Sequence, residues 1–173
     1  MTLKIKPFQR GILYSFLAAT FWGIPQPLFF NQIKFIPAIE LVLHRGFWAF
    51  IFLFLIILIL GKINEFFSIF KSYKKIFFLS MSAILISINW TGFILAVSIN
   101  RVQDASMGYY MTPMISIVLG YFFLKEKMNL LKLISVIMMF GSLIFLLISL
   151  KTLPVLALLI GFTWGVYGLL RKQ

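Results

Sequence analysis

Hydrophobic and polar positions fall into long blocks along this chain. Six long stretches without a charged side chain follow one another almost end to end. They cover residues 11–33, 46–61, 76–100, 105–124, 133–150 and 152–170. Because a helix of about 20 mainly apolar residues crosses the roughly 30 Å hydrocarbon core of a bilayer, the blocks predict an all-α, polytopic transmembrane helix bundle of about six spans. The second block reaches that length only if it starts near Leu41 and includes His44 and Arg45.

Composition agrees with this pattern. The chain is 62% hydrophobic with a net charge of +12, a charge that would suggest nucleic acid in a soluble protein. Here the basic residues lie between the apolar blocks, which indicates contact with a lipid bilayer and no nucleic-acid partner. With no cysteine and one histidine, we expect no metal site and no cofactor. Four acidic residues near the span ends give little material for an intramembrane enzyme.

The basic residues also predict a topology. With the N-terminus in the cytoplasm, the cytoplasmic ends and loops collect 12 Lys and Arg residues and the outer loops collect three, at Lys34, Arg101 and Lys151. The remaining one, Arg45, falls inside the second span. By the positive-inside rule, the chain is predicted to lie in the cytoplasmic (inner) membrane with both termini cytoplasmic.

A short pattern occurs near both ends of the chain. FWGI at residues 21–24, followed by Leu28, matches TWGV at residues 163–166, followed by Leu170. If a repeat begins at span 1 and restarts at span 6, its unit has five spans, and an odd number inverts the second copy, an arrangement recurrent in secondary transporters. We therefore predict a first repeat at residues 1–150 and the first helix of an incomplete second repeat at residues 151–173.

Several motifs carry a family resemblance. They are Arg10-Gly11, Glu40-Leu41, His44-Arg45, Ile88-Asn89-Trp90, Asn100-Arg101-Val102, the run from Ala105 to Tyr110, Pro113, Leu124-Lys125-Glu126-Lys127 and the run from Gly168 to Gln173. In these residues the chain resembles the RarD-like (chloramphenicol-sensitivity) branch of the drug/metabolite transporter superfamily, whose repeat unit is the EamA domain. The resemblance implies ten-span inner-membrane transporters built from two inverted repeats. It also implies alternating access around a midplane cavity, with roughly the last four spans absent here.

The candidate substrate pathway begins with His44 and Arg45. A charge inside a span is costly and normally faces a polar cavity or a partner. Arg45 is therefore a candidate for binding or gating, and the alternative is a structural anchor whose side chain extends toward the headgroups. His44 lies one helical turn from Glu40 and could share that role.

Aromatic and amide residues within the spans extend the pathway. Asn89 and Trp90 lie near the middle of span 3, where a buried Asn either faces a cavity or links two helices. Tyr109 and Tyr110 in span 4 either line the pathway or lie at an interface. Trp22 adjoins the proline-rich end of span 1.

Two further features concern helix geometry. Small residues spaced by four in span 4 predict close helix packing; they are Gly108, Thr112, Ser116 and Gly120. Residues that weaken the helical hydrogen-bond ladder predict breaks or kinks; they are Gly23, Pro25 and Pro27 in span 1 and Pro113 in span 4.

The predicted function is transport of a small organic solute, a metabolite or drug, without a catalysed reaction. The alternative is a non-transporting membrane subunit or remnant. We expect activity to need a second polypeptide that supplies the remaining spans. We also expect the face of span 6 that carries Trp164 and Tyr167 to be exposed to lipid.

Overall fold

The fold of the chain is all-helical. A computed structural model describes residues 7–150 and 154–172, and this part of the chain forms eight α-helices. They are α1 (Pro7–Gly23), α2 (Pro25–Gln32), α3 (Ala38–Ile59), α4 (Ile63–Ile69), α5 (Tyr73–Ser98), α6 (Val102–Leu124), α7 (Leu130–Leu150) and α8 (Val155–Leu170). The all-α prediction is confirmed. Lys4, Lys6, Lys151, Thr152 and Gln173, used in the predictions above, lie outside the described residues.

The helices provide the membrane crossings that the hydrophobic blocks predict. Four segments are long and apolar enough to span a bilayer, namely Phe8–Gln32 (α1 with α2), Ala38–Ile59, Tyr73–Ser98 and Val102–Leu124. At a rise of about 1.5 Å per residue, the 21 residues of α7 reach about 30 Å, and the 16 residues of α8 are shorter. Helix α3 begins at Ala38 and therefore includes Arg45, as the second block required. The chain is a multi-pass membrane protein.

The best-packed part of the molecule is the place where α8 lies between α5 and α6. Glycines make this approach possible: a Cβ added at Gly108 would lie 2.7 Å from the Cβ of Ile160, and one at Gly161 would lie 2.9 Å from the carbonyl oxygen of Gly108. Ala157 and Ile160 are 0% exposed. Small residues that allow close backbone approach are the usual basis of helix association in membranes.

This packing corrects one prediction. The sequence predicts that the face of α8 carrying Trp164 and Tyr167 is exposed to lipid. In the structure Ala157, Ile160, Gly161 and Thr163 are buried, and Trp164 and Tyr167 are partly buried. The prediction is wrong because it assumes that the packing partners of α8 lie only in a second repeat. Its partners in the structure, α5 and α6, belong to the predicted first repeat.

The direction of α8 follows from the residues that it contacts. Along α6, Gly108 lies against Ala157 and Ile160, and Ile115 lies against Gly165, so α8 runs parallel to α6. Along α5, Gly92 contacts Leu159 and Ile160. The Asn89 side chain, earlier in α5, reaches Thr163, later in α8. Helix α8 therefore runs antiparallel to α5.

Helix α1, in contrast to α8, makes few contacts with the rest of the bundle. It packs mainly on α2, and each of its residues from Phe8 to Gly23 is exposed. The helix ends at Gly23, and α2 begins at Pro25. The Ile24 N–H still donates to the Thr20 carbonyl oxygen at 3.1 Å, so helical hydrogen bonding continues into the junction, and α1 with α2 forms one apolar segment, Phe8–Gln32.

Helix α6 continues from Val102 to Leu124 through Pro113. Because proline has no N–H, the Tyr109 carbonyl loses the helical donor that residue 113 would otherwise provide.

Candidate functional site

A buried polar network links three helices near the middle of α5. The Asn89 side chain, 0% exposed, donates to the Ile160 carbonyl oxygen at 2.8 Å and to Thr163 Oγ1 at 3.1 Å on α8. Its Oδ1 accepts a hydrogen bond from the Tyr109 hydroxyl of α6 at 3.2 Å. A buried amide must be hydrogen-bonded, and here its donor and acceptor groups connect α5, α6 and α8.

Arg45 lies beside this network, on aromatic surfaces. Its Cζ is 3.8 Å from the centroid of the Trp90 ring and 5.9 Å from that of Trp22. Such cation–π contacts stabilise a guanidinium that has been partly removed from water. The structure therefore brings together Trp22 of α1, Arg45 of α3 and Trp90 of α5, and Tyr109 adjoins them through Asn89.

Among the described residues, no carboxylate forms an ion pair with Arg45. The chain has four acidic residues, all of them described, and each lies beside another Lys, Arg or His side chain. Glu40 lies 4.0 Å from His44, Glu65 lies 3.9 Å from Lys62, Asp104 lies 2.7 Å from Arg101, and Glu126 lies 2.8 Å from Lys172. The hydrogen-bond donors of the Arg45 guanidinium are therefore not neutralised by an acid of this chain. Within residues 7–150 and 154–172, no group of three His, Asp or Glu side chains could hold a metal ion.

Two cavities flank the segment that joins α1 to α2. The first, of about 590 Å³, lies between this segment and α3 and is bordered by Gln26, His44 and Arg45 among mainly apolar residues that include Phe29 and Trp48. The second, of about 430 Å³, lies between the segment and the α5–α6–α8 core. Trp22 and Gly23 border it on one side, and Tyr109 and Trp164 on the other.

Other predicted pathway residues lie away from the polar network. Tyr110 is 56% exposed and is directed away from the core. The His44 side chain is exposed, lies 4.0 Å from Glu40 and borders the first cavity. Sequence spacing could not separate Tyr109 from Tyr110, because adjacent helical positions are about 100° apart and either one could face the core.

The small-residue stripe of α6 has several environments. Gly108 contacts α8, Gly120 lies against the Glu126 carboxylate, Thr112 is partly exposed and bonds its own helix at the Gly108 carbonyl, and Ser116 is exposed. A packing role for all four positions stays a prediction.

Sequence reasoning missed the complementary stripe on α8. Ala157, Gly161 and Gly165, also spaced by four, are buried against α6. Their spacing was a signal of the same kind as the stripe on α6.

Four helical segments long and apolar enough to span a bilayer, two shorter apolar helices and a buried polar cluster define a polytopic helical membrane protein. The chain belongs to the EamA-like transporter family, whose match covers residues 9–148. This family consists of transporters and is not an enzyme family.

Individual relatives match over nearly the whole chain. "Uncharacterized transporter YojE" of Bacillus subtilis is 34% identical, covering 95% of this chain and 56% of that protein. Protein RarD of Escherichia coli is 34% identical over 99% of this chain and 57% of that protein. Protein RarD of Streptomyces exfoliatus is 30% identical over 99% and 54%. The chain thus spans somewhat more than half the length of these relatives. No solved structure matches it.

Proposed function

We propose that this chain supplies part of a transporter that exports or exchanges a small organic solute across the cytoplasmic membrane. Residues 1–150 form one five-helix repeat, and residues 151–173 begin a second, inverted repeat. Alternating access of the two repeats moves the solute. The observation that carries the proposal is Arg45, which lies inside a membrane span, stacks on Trp90 and borders a 590 Å³ cavity.

The physical reason is the cost of an unpaired charge within a span. An intramembrane arginine is retained where it faces a polar cavity or a partner, and all the acidic side chains of the chain are engaged elsewhere. Stacking on Trp90 leaves the edge of the guanidinium available for a hydrogen-bond acceptor. The surrounding apolar surface of the cavity suits the carbon skeleton of an organic solute. We assign Arg45, His44, Trp22 and Trp90 to this pathway, together with Asn89, Tyr109 and Tyr110.

The proposed orientation places both termini in the cytoplasm. Reporter fusions at residues 62–75 and after residue 172 should report a cytoplasmic location, and fusions at Arg101 an external one. An external C-terminus would contradict the six-span topology and, with it, the inverted repeat.

A second candidate function is a non-transporting membrane subunit or remnant, and the sparse packing of α1 favours it. Helix α1 packs mainly on α2 and has little contact with the rest of the bundle. In this alternative, Arg45 is an anchor that extends toward the headgroups.

Reconstitution into vesicles distinguishes the two functions. The 173-residue chain alone, screened with labelled metabolites, should show no saturable uptake. Uptake should appear when the chain is reconstituted together with the part of E. coli Protein RarD that lies outside the region aligned with this chain. Saturable uptake by the chain alone would contradict the requirement for further spans, and absence of uptake from the combined protein would favour the subunit or remnant.

Arg45 variants of the combined protein test the site. Arg45→Lys keeps the charge but loses the planar five-donor fork, so it should lower flux about tenfold or more at normal expression, as expected for loss of a charge-assisted hydrogen bond. Arg10→Ala, at an exposed arginine away from the cavity, is the matched control. Full flux in a well-expressed Arg45→Ala variant would favour the anchor.

A further inference from the structure

Another cavity lies at the end of the bundle where α5 begins and α8 ends. Its volume is about 350 Å³, and it is bordered by Ile69 of α4, by Lys74, Lys75, Phe78 and Leu79 of α5, and by Leu170 of α8. We call it the lysine cavity. Because α8 runs antiparallel to α5, its last residue reaches the first turns of α5. The lysine cavity is therefore separate from the Arg45 site, which lies against Trp90, much later in α5.

The border of the lysine cavity changes from cationic to apolar along α5. Positions four apart in a helix lie on one face, so Phe78 follows Lys74, and Leu79 follows Lys75, about 6 Å further along the axis. Helix α5 is one of the segments able to span a bilayer, and it begins at Tyr73. The two lysines therefore lie at the end of a span, and the apolar residues lie one turn further into the membrane.

The acidic residues of the chain do not balance this positive charge. Among the described residues, no Asp or Glu forms an ion pair with Lys74 or Lys75; the cationic partners of the four acids are His44, Lys62, Arg101, Lys132 and Lys172. The first turn of α5 contains no acidic residue either. Because the N-terminal end of a helix is the positive end of its dipole, these two lysines repel that end as well as each other. An anion from outside the chain would relieve the repulsion.

The surroundings of the lysine cavity suit the boundary between headgroups and acyl chains. The ring of Phe66 on α4 lies edge-to-face against Phe67 and Phe70, with centroids 5.4 and 5.5 Å apart, and contacts Phe54 of α3 at 5.9 Å. Phe67 and Phe70 are exposed. Exposed aromatic rings beside lysines are typical of segments that lie at a membrane interface. Helix α4 therefore places the cavity at the depth of the lipid headgroups.

We propose that the lysine cavity binds one anionic phospholipid. The headgroup phosphate lies between the ammonium groups of Lys74 and Lys75, and the start of one acyl chain lies against Phe78, Leu79 and Leu170. Basic pockets between transmembrane helices bind anionic headgroups in this way. In the orientation proposed above, this end of α5 is at the cytoplasmic leaflet, whose surface is negative.

The two parts of the border select this occupant over other anions. A soluble phosphate would use the lysines but not the apolar residues, and a zwitterionic lipid would bring a cation of its own to the lysines. A cavity of about 350 Å³ is at the small end of ligand pockets, so it holds a headgroup and the first part of a chain, and the remainder of the lipid stays in the bilayer. This inference goes beyond solute transport and does not depend on it.

Lipid binding by the 173-residue chain in non-ionic detergent is the test. The probes are phosphatidylglycerol, phosphatidylcholine with the same acyl chains, and sn-glycerol 3-phosphate as the soluble phosphate. Lys74→Gln/Lys75→Gln removes both charges of the cavity. Lys62→Gln/Lys71→Gln is the matched control, because it changes the net charge equally at exposed lysines of the same segment that do not border the cavity. The measurements are the lipids retained per chain in native mass spectrometry and the midpoint of thermal unfolding.

We expect the parent chain to retain one phosphatidylglycerol. At about 100 times its dissociation constant, this lipid should raise the midpoint by about 5 °C or more. Lys74→Gln/Lys75→Gln should weaken its binding about tenfold or more, because the attraction of both lysines to the headgroup is lost, and Lys62→Gln/Lys71→Gln should have little effect. Phosphatidylcholine and glycerol 3-phosphate should change neither measurement.

Four results would overturn the proposal. Equal losses in the two glutamine variants would show attraction to diffuse surface charge, and equal retention of phosphatidylcholine would remove the role of the headgroup. A midpoint raised by glycerol 3-phosphate would assign the lysines to a soluble anion. Lys74→Arg/Lys75→Arg keeps both charges and should bind phosphatidylglycerol, so a loss there would show that these substitutions act through the fold. None of these measurements involves solute flux, so they succeed or fail separately from the proposed function.

Discussion

Helices α1 and α8 share a local sequence pattern but have opposite environments. Helix α8 lies between α5 and α6 with Ile160 and Gly161 buried, whereas α1 packs mainly on α2 and its residues are exposed. Both carry a Trp-Gly pair and small residues spaced by four. The difference shows that, in a membrane bundle, such a pattern indicates a capacity for close packing, and the presence of a partner helix decides whether it is used.

The physical basis is the solvent around the helices. Lipid chains are as apolar as leucine, so an apolar helix face gains little merely by leaving lipid. Van der Waals contact at close backbone approach and interhelical hydrogen bonds provide the stabilisation. Helix α8 has both, from Gly161 and from its contacts with Asn89. In the described chain, α1 has no comparable contact at Gly23.

The largest expected effect comes from filling the contact of α8 with α6. Gly161→Leu should destabilise the chain by about 1–3 kcal/mol or more, because its side chain would meet the Gly108 backbone, which cannot move as a side chain can. The measurement is the folded fraction in detergent during thermal unfolding.

A glycine on the same helix provides the control. A Cβ added at Gly168 would meet nothing within 4 Å, so Gly168→Leu should be neutral or slightly stabilising through helix propensity. Equal losses from both substitutions would mean that leucine harms α8 for a reason other than packing, and the contrast with α1 would lose its basis.

The sequence predicted the crossings but not the packing of α8. Long uncharged runs fix helix positions locally, and α3 covers the second run and extends before it to Ala38, directly after Pro37. The contacts of α8 are non-local: Gly161 meets Gly108, Met111 and Ile115, which lie far earlier in the chain. No pattern within residues 151–173 identifies those partners, and the expectation that the Trp164 and Tyr167 face of α8 is exposed to lipid was wrong for that reason.

The second-largest loss of stability is expected from breaking the hydrogen bonds between α5 and α8. Asn89→Leu removes the hydrogen bonds to Ile160 and Thr163 and leaves the Tyr109 hydroxyl without its acceptor. Interhelical hydrogen bonds in membranes are typically worth about 0.6 kcal/mol and at most about 1.7 kcal/mol. The loss in unfolding free energy should therefore be about 1 kcal/mol, less than for Gly161→Leu.

Thr91→Val is a suitable comparison, because Thr91 Oγ1 donates to the Ser87 carbonyl oxygen of its own helix at 2.8 Å. It should cost less than Asn89→Leu. A larger loss from Thr91→Val would show that the Asn89 network does not hold α8 in place.

The candidate site was predictable only in part, for a related reason. Asn89 and Arg45 stand out in a sequence because polar groups are costly inside a span. Their arrangement depends on helix rotation: Arg45 could have faced lipid, and Tyr110 could have taken the place of Tyr109. The stacking of Arg45 on Trp90 joins α3 to α5, and no spacing along the chain specifies such a contact.

The smallest effect is expected at the C-terminal end of α8, where Lys172 Nζ donates to Glu126 Oε1 at 2.8 Å. This hydrogen bond and the attraction of the two charges lower the pKa of Glu126 from its ordinary value of 4.5. Because the folded-state pKa is the lower one, the link is fully formed above pH 4.5 and is lost as the pH falls through the folded pKa. Exposed ion pairs contribute little, so global stability should barely change.

Local opening at this end of α8 is the more sensitive measurement. Hydrogen exchange of the amides near Leu169 and Leu170 should accelerate severalfold between pH 7 and about pH 3, after correction for the intrinsic pH dependence of exchange. Glu126→Gln keeps an acceptor but removes the charge, and should abolish most of that pH response. Glu65→Gln, at the exposed Lys62–Glu65 pair, should leave it intact. An unaltered pH response in Glu126→Gln would show that the end of α8 is held by its packing on α6 alone, without help from the charged residues that follow it.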